Sequence, residues 1–96
     1  MKKYMTIEMP DKSVWQVPVA VIASNRAEAY KHEFGGDIER SLAEDTIPLF
    51  TDTYEIEDWA ANNMNWRDVA KHAVMVSGGD VDYQAGWVNG EKGFTE

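Results

Sequence analysis

Cysteine is missing altogether from this chain of 96 residues. That excludes disulfide staples, thiolate zinc sites, iron–sulfur clusters and thiol nucleophiles. Bases are scarce: nine Lys and Arg stand against 17 Asp and Glu, for a net charge of −8. A chain with that balance lacks the electrostatic footprint for direct nucleic-acid binding or for anionic membranes. Long apolar runs are lacking too. The longest, residues 17–23, contains Pro18 and falls far short of the roughly 20 residues that span a bilayer. No uninterrupted apolar stretch follows Met1-Lys2-Lys3, so a signal peptide is not expected and the expected setting is cytoplasmic. Gly35-Gly36 and Gly78-Gly79 lack the Lys and Ser of a phosphate loop, and neither HExxH nor GxSxG occurs.

What is present suits a globular domain. Apolar residues make up 44%, with four Trp, four Tyr and three Phe, which excludes disorder over most of the length. The length implies one domain, placed at residues 1–90, with 91–96 as a flexible tail.

Local patterns give an element order. Met5, Ile7 and Met9 alternate with Thr6 and Glu8, the period of a half-buried strand. Pro10-Asp11-Lys12-Ser13 is turn chemistry, and Val14-Trp15-Gln16-Val17 returns, so residues 3–17 read as a β-hairpin. Val19, Ile22, Ala23, Ala27, Tyr30 and Phe34 recur at helical spacing over 19–34, and Gly35-Gly36 ends that helix. Asp37 caps a second helix with Ile38 and Leu42 as contacts, ended near Asp45 by the approach of Pro48. Ile47, Leu49 and Phe50 then anchor a loop. Asp52 or Thr53 caps a third helix carrying Ile56, Trp59 and Ala60, and Asn65 to Asp68 form a capping box for a short fourth through Lys71. Residues 72–76 read as a third strand. The remainder, 80–96, reads as a loop pinned by Tyr83 and Trp87, with low order past Gly90. The expected fold is α+β: a small antiparallel sheet with about four helices on one face, in the order ββααααβ.

Charge is distributed unevenly. Asp37, Glu39, Glu44, Asp45, Asp52, Glu55, Glu57 and Asp58 lie within 22 residues, opposed by Arg40 alone. That segment carries −7, and the other 74 residues are almost neutral. Helix first turns favour acids through the macrodipole, which accounts for Asp37, Glu39, Asp52 and Glu55. Glu44, Asp45, Glu57 and Asp58 fall later in their helices and are the least explained. These eight acids are the candidate partner-binding residues, provided that the second and third helices lie side by side.

Other chemistry is thin. Asp52 to Asp58 resembles a calcium loop only superficially, without its central Gly and final Glu. Glu28 and His32 share a helical face, as two metal ligands or as a surface pair. His72 sits where helix passes to strand. Glu55, Glu57 and Asp58 could serve acid–base chemistry, but nothing points to a pocket. No catalytic residue, metal site or cofactor is therefore expected, and the chain reads as a non-enzyme. The four Trp are dispersed rather than spaced as a cofactor box, so most are expected in the core.

Three stretches taken together carry a resemblance. They are Val17 to Ala23 with Arg26-Ala27, Glu39 to Thr46 with Pro48-Leu49-Phe50, and Tyr54 to Trp66 with Asp68-Val69. They resemble a group of small, mostly uncharacterised proteins of tailed bacteriophages, over about residues 3–90. The resemblance implies an accessory protein in the cytoplasm of a bacterial host, and it carries over no site residue. In size and acidity the chain is similar to anti-CRISPR and anti-restriction inhibitors. The expected function is a binding protein that docks its acidic face on a basic surface of a host protein, including a nucleic-acid-binding one, and inhibits it. Two alternatives stand beside it: a phage structural or assembly factor, and a DNA mimic.

Overall fold

A computed structural model of the chain describes residues 1–10, 12–77, 87, 90 and 92–95. The fold is α+β, as the sequence implies. Strands β1 (Tyr4–Glu8) and β2 (Val14–Pro18) form the expected hairpin, with Met5 opposite Val17 and Ile7 opposite Trp15. The turn between them closes with Lys12 N–H on Met9 O at 2.9 Å and Met9 N–H on Ser13 O at 2.7 Å. Lys12 takes φ 73°, a left-handed conformation that costs a β-carbon-bearing residue about 1–2 kcal/mol.

Helix α1 (Val19–Tyr30) begins directly after Pro18, whose extended backbone leads into the first turn. The expected helix to residue 34 tightens in its last turn, Lys31–Phe34, to 3₁₀ geometry, and Gly35 closes it at φ 67°. Asp37 caps α2 (Ile38–Ser41), accepting from Arg40 N–H at 3.1 Å.

The helix does not stop near Asp45, contrary to the sequence reading. It continues as one π turn, Leu42–Thr46, and then as α3 (Ile47–Leu49). Pro48 explains the widening. A proline ring collides with the carbonyl four residues earlier in a regular helix, and it has no N–H to give. Here Ile47 N–H reaches back five residues to Leu42 O, and Phe50 N–H resumes the regular spacing on Thr46 O at 2.9 Å. A π turn makes room for the ring without ending the helix.

Asp52 caps α4 (Thr53–Asn63), accepting from Tyr54 N–H at 3.0 Å. The capping box of Asn65 and Asp68 opens α5 (Trp66–Val69), and a 3₁₀ turn, Ala70–His72, follows. Strand β3 (Val74–Ser77) pairs with β2. The expected tail contains a strand instead: β4 (Lys92–Thr95) pairs antiparallel with β1, Met5 opposite Phe94 and Ile7 opposite Lys92. The sheet order is β3-β2-β1-β4. Residues 91 and 96 of the expected tail, and the expected anchor Tyr83, lie outside the described residues.

One core joins these layers. Met5, Ile7 and Val17 from the hairpin meet Val19, Ile22 and Ala23 of α1, Ile56 and Ala60 of α4, and Phe50. Trp87 is fully buried, and its indole N–H is shared by the carbonyls of Ala60 and Met64, both at 3.1 Å. Trp15, Trp59 and Trp66 are half-buried against the same core. Trp66 lies between Trp15 and Trp87, at ring separations of 5.3 and 6.2 Å.

Candidate docking face

The segment from Asp37 to Asp58 is built on α1. Ser41 is fully buried, and its hydroxyl donates to Ala27 O at 3.0 Å. That carbonyl lies near the end of α1, where Lys31 N–H bonds Glu28 O instead. Arg26 supplies the second tie. Its Nη1 donates to Asp45 Oδ2 at 2.8 Å and to the buried Thr46 hydroxyl at 3.0 Å. The third tie is Trp59 Nε1–H on Asn25 Oδ1 at 2.9 Å. Side chains 25 and 26 of α1 thus reach α4 and the π turn from adjacent positions. The acidic elements are joined through α1.

The eight acids divide by what they touch. Asp37 and Asp52 are caps, and their carboxylates satisfy helix N–H groups. Glu39 and Glu55 lie in first turns, where the macrodipole favours them. Asp45, half-exposed, is paired with Arg26, and Glu44 accepts from Arg40 Nε at 2.8 Å. Asp58 accepts from Asn62 Nδ2 at 3.0 Å. The acids that seemed least explained in the sequence therefore have intramolecular partners for Glu44, Asp45 and Asp58. The hydrogen bond that Arg40 donates to Glu44, and then the Glu44 charge, hold the Arg40 guanidinium above its ordinary pKa, with Asp37 adding to the effect. Glu57 faces Lys92 of β4. Burial lowers the Lys92 pKa, and the nearby Glu57 charge opposes that shift.

Part of the apolar exposure falls on the same segment, and Met1, Val74 and Met75 are exposed outside it. Ile38 is 39% exposed, Ile47 38% and Tyr54 66%, amid the acids. Arg26 and Arg40 each have an aromatic neighbour as well as a carboxylate. The Arg26 guanidinium carbon lies 4.6 Å from the Tyr30 ring centre and 5.8 Å from that of Trp59. That of Arg40 lies 5.8 Å from Phe34.

A shallow cavity of about 300 Å³ opens on the sheet, lined by Thr6, Glu8, Val14, Lys92 and Gly93. Its carboxylate, Glu8, is ion-paired with Lys12 at 3.4 Å. A β-carbon on Gly93 would come within 2.9 Å of Thr6 Oγ1, so the Thr6 side chain would have to turn to admit one. Glu28 bonds Lys31 at 2.7 Å. His32 and His72 are exposed. Among the described residues, no three His, Cys, Asp or Glu side chains converge as metal ligands, and no helix is long and apolar enough to cross a membrane.

No family model, no curated protein and no solved structure matches this chain.

Proposed function

We propose that the chain is a non-enzymatic binding protein whose acidic helices dock on a basic surface of a protein partner. One observation carries this reading: exposed Ile38, Ile47 and Tyr54 lie within the segment that holds nearly all the net charge. Apolar side chains among the acids give such a surface short-range contact as well as charge. Carboxylates steer a basic partner, and aromatic or aliphatic anchors supply short-range affinity. The resemblance to tailed-phage proteins makes the partner a bacterial host protein in the host cytoplasm, and the mode of action inhibition by occlusion. A nucleic-acid-binding protein offers such a basic surface without requiring that the acids copy a phosphate backbone.

The test begins with partner capture from a bacterial lysate, followed by affinity measurements at two salt concentrations. The variant combines Glu39→Gln, Glu55→Gln and Glu57→Gln, which spares the caps and the pairs of Asp45 and Glu44. Glu39 is exposed, Glu55 and Glu57 are half-buried, and Glu57 acts on Lys92, so the variant should stay folded with a loss of about 0–1 kcal/mol for each charge. Association should slow, and the dependence on salt should flatten. Equal affinity and an equal salt slope would return these acids to the role of a solvated surface.

A further inference from the structure

We propose that Tyr54 and Asp58 on the outward side of α4 form an open clamp for an arginine side chain of the partner. This rests on the docking reading above and names the chemistry that the face recognises. The molecule already fills two clamps of this kind. Arg26 lies over Tyr30 and Trp59 and pairs with Asp45 at 2.8 Å. Arg40 lies near Phe34 and pairs with Glu44 at 2.8 Å. In both, a guanidinium is held between an aromatic face and a carboxylate. The physical reason is shared: the ring quadrupole attracts the planar cation, and the carboxylate takes its N–H groups.

Tyr54 offers the same two groups without an arginine. It is 66% exposed, and no described cation lies over its ring. Asp58 follows at i+4 and Glu57 at i+3, positions that neighbour residue 54 on a helix surface at about 5–6 Å between β-carbons. Asn62 holds Asp58 Oδ1 at 3.0 Å, which orients the carboxylate and leaves Oδ2 without a partner among the described residues. The Tyr54 backbone is fixed at the start of an eleven-residue helix capped by Asp52, so only side-chain order is lost on binding. Arginine fits this pair better than lysine. Its guanidinium is flat, weakly hydrated and able to stack while donating in its plane, whereas an ammonium is a compact, strongly hydrated charge.

The test uses two blocked peptides, each with three basic residues separated by glycines, one with arginine and one with lysine. Each is titrated into the full chain at low salt and followed by NMR. The arginine peptide should bind more tightly, with the largest shifts at the Tyr54 ring and at the amides of residues 54–58. Tyr54→Ala should weaken the arginine peptide about two- to fivefold and remove the preference over lysine. Tyr54→Phe should keep that preference, and Asp58→Asn should weaken both peptides. A thermal melt of each variant establishes folding. If both peptides bind equally, with shifts spread over Glu39 and Glu55 and no response to Tyr54→Ala, the clamp is overturned and the acidic docking face stands. If neither peptide binds, both readings fall.

Discussion

The hairpin with α1 and the arm from Ile38 to Leu49 bury opposite kinds of side chain. In the first, Met5, Ile7, Val17, Val19 and Ile22 are inside, and Thr6 and Glu8 are turned outward. In the arm, the fully buried residues are Ser41 and Thr46, while Ile38 and Ile47 are exposed. Burial of apolar area holds the first region, a force without direction that grows with contact. The arm packs only the partly buried Leu42 and Leu49 against the core and adds a few directed bonds, Ser41 to Ala27 O and Arg26 to Asp45 and Thr46. Such bonds add little net stability when made, yet their loss is expensive when it strands a buried group. The difference teaches that one half can absorb small changes of shape and the other cannot absorb small changes of chemistry.

The largest effect should come from the apolar half. Ile22 is fully buried between the hairpin and the helices. Ile22→Ala should cost about 2–5 kcal/mol through lost transfer energy and a residual cavity, out of a total of about 5–15 kcal/mol. Denaturant unfolding measures it, and an unchanged midpoint would contradict the packing. A smaller, local effect should follow Ser41→Ala, which leaves the Ala27 carbonyl without its side-chain donor at about 1–3 kcal/mol. Hydrogen exchange should then speed up in residues 41–50 well before β1 and β2 respond. Equal acceleration in the strands and the arm would erase the contrast between the two regions.

Most of the fold was legible in the sequence where its signals are local. The alternation at Met5, Ile7 and Met9 reports the strand, and Asp37, Asp52 and Asn65 report three helix starts. Strand β4 was not legible. Lys92-Gly93-Phe94-Thr95 offers one large apolar residue and a glycine, and its pairing with β1 is decided by a partner at the other end of the chain. The arm misled for a related reason. Pro48 forbids a regular helix, but a π turn satisfies the same steric demand and keeps the chain helical. The site was half legible: the acid cluster is visible as charge, whereas Asp45 and Glu44 appeared free because Arg26 and Arg40 reach them only in the folded chain or across a turn. The exposure of Tyr54 carries no sequence signal, since an aromatic at a helix start is as readily core as surface.

The smallest effect should appear at Lys92, on the strand that extends the hairpin's sheet. Its ammonium lies on β4 opposite Ile7, donates to Gly90 O at 3.0 Å and feels the charge of Glu57 from α4. Burial disfavours the charged form more than Glu57 restores it, so the folded pKa lies below the ordinary lysine value. The sign follows from proton counts. Between the folded and unfolded pKa values the unfolded chain holds more protons, so stability rises with pH across that interval. Below it, both states carry the ammonium, and the penalty is present in full. Lys92→Met keeps much of the stem and removes the titration. The stability of Lys92→Met minus that of the native chain should therefore be largest near neutral pH and shrink as pH climbs into the lysine range. Glu57→Gln in the native background should push the Lys92 pKa further down and open that interval wider. Denaturant midpoints for the three chains at neutral pH and at about pH 10 measure both trends. A difference that stays constant with pH would mean that the ammonium is as well solvated in the fold as in the unfolded chain, and that β4 and α4 do not share a charge environment.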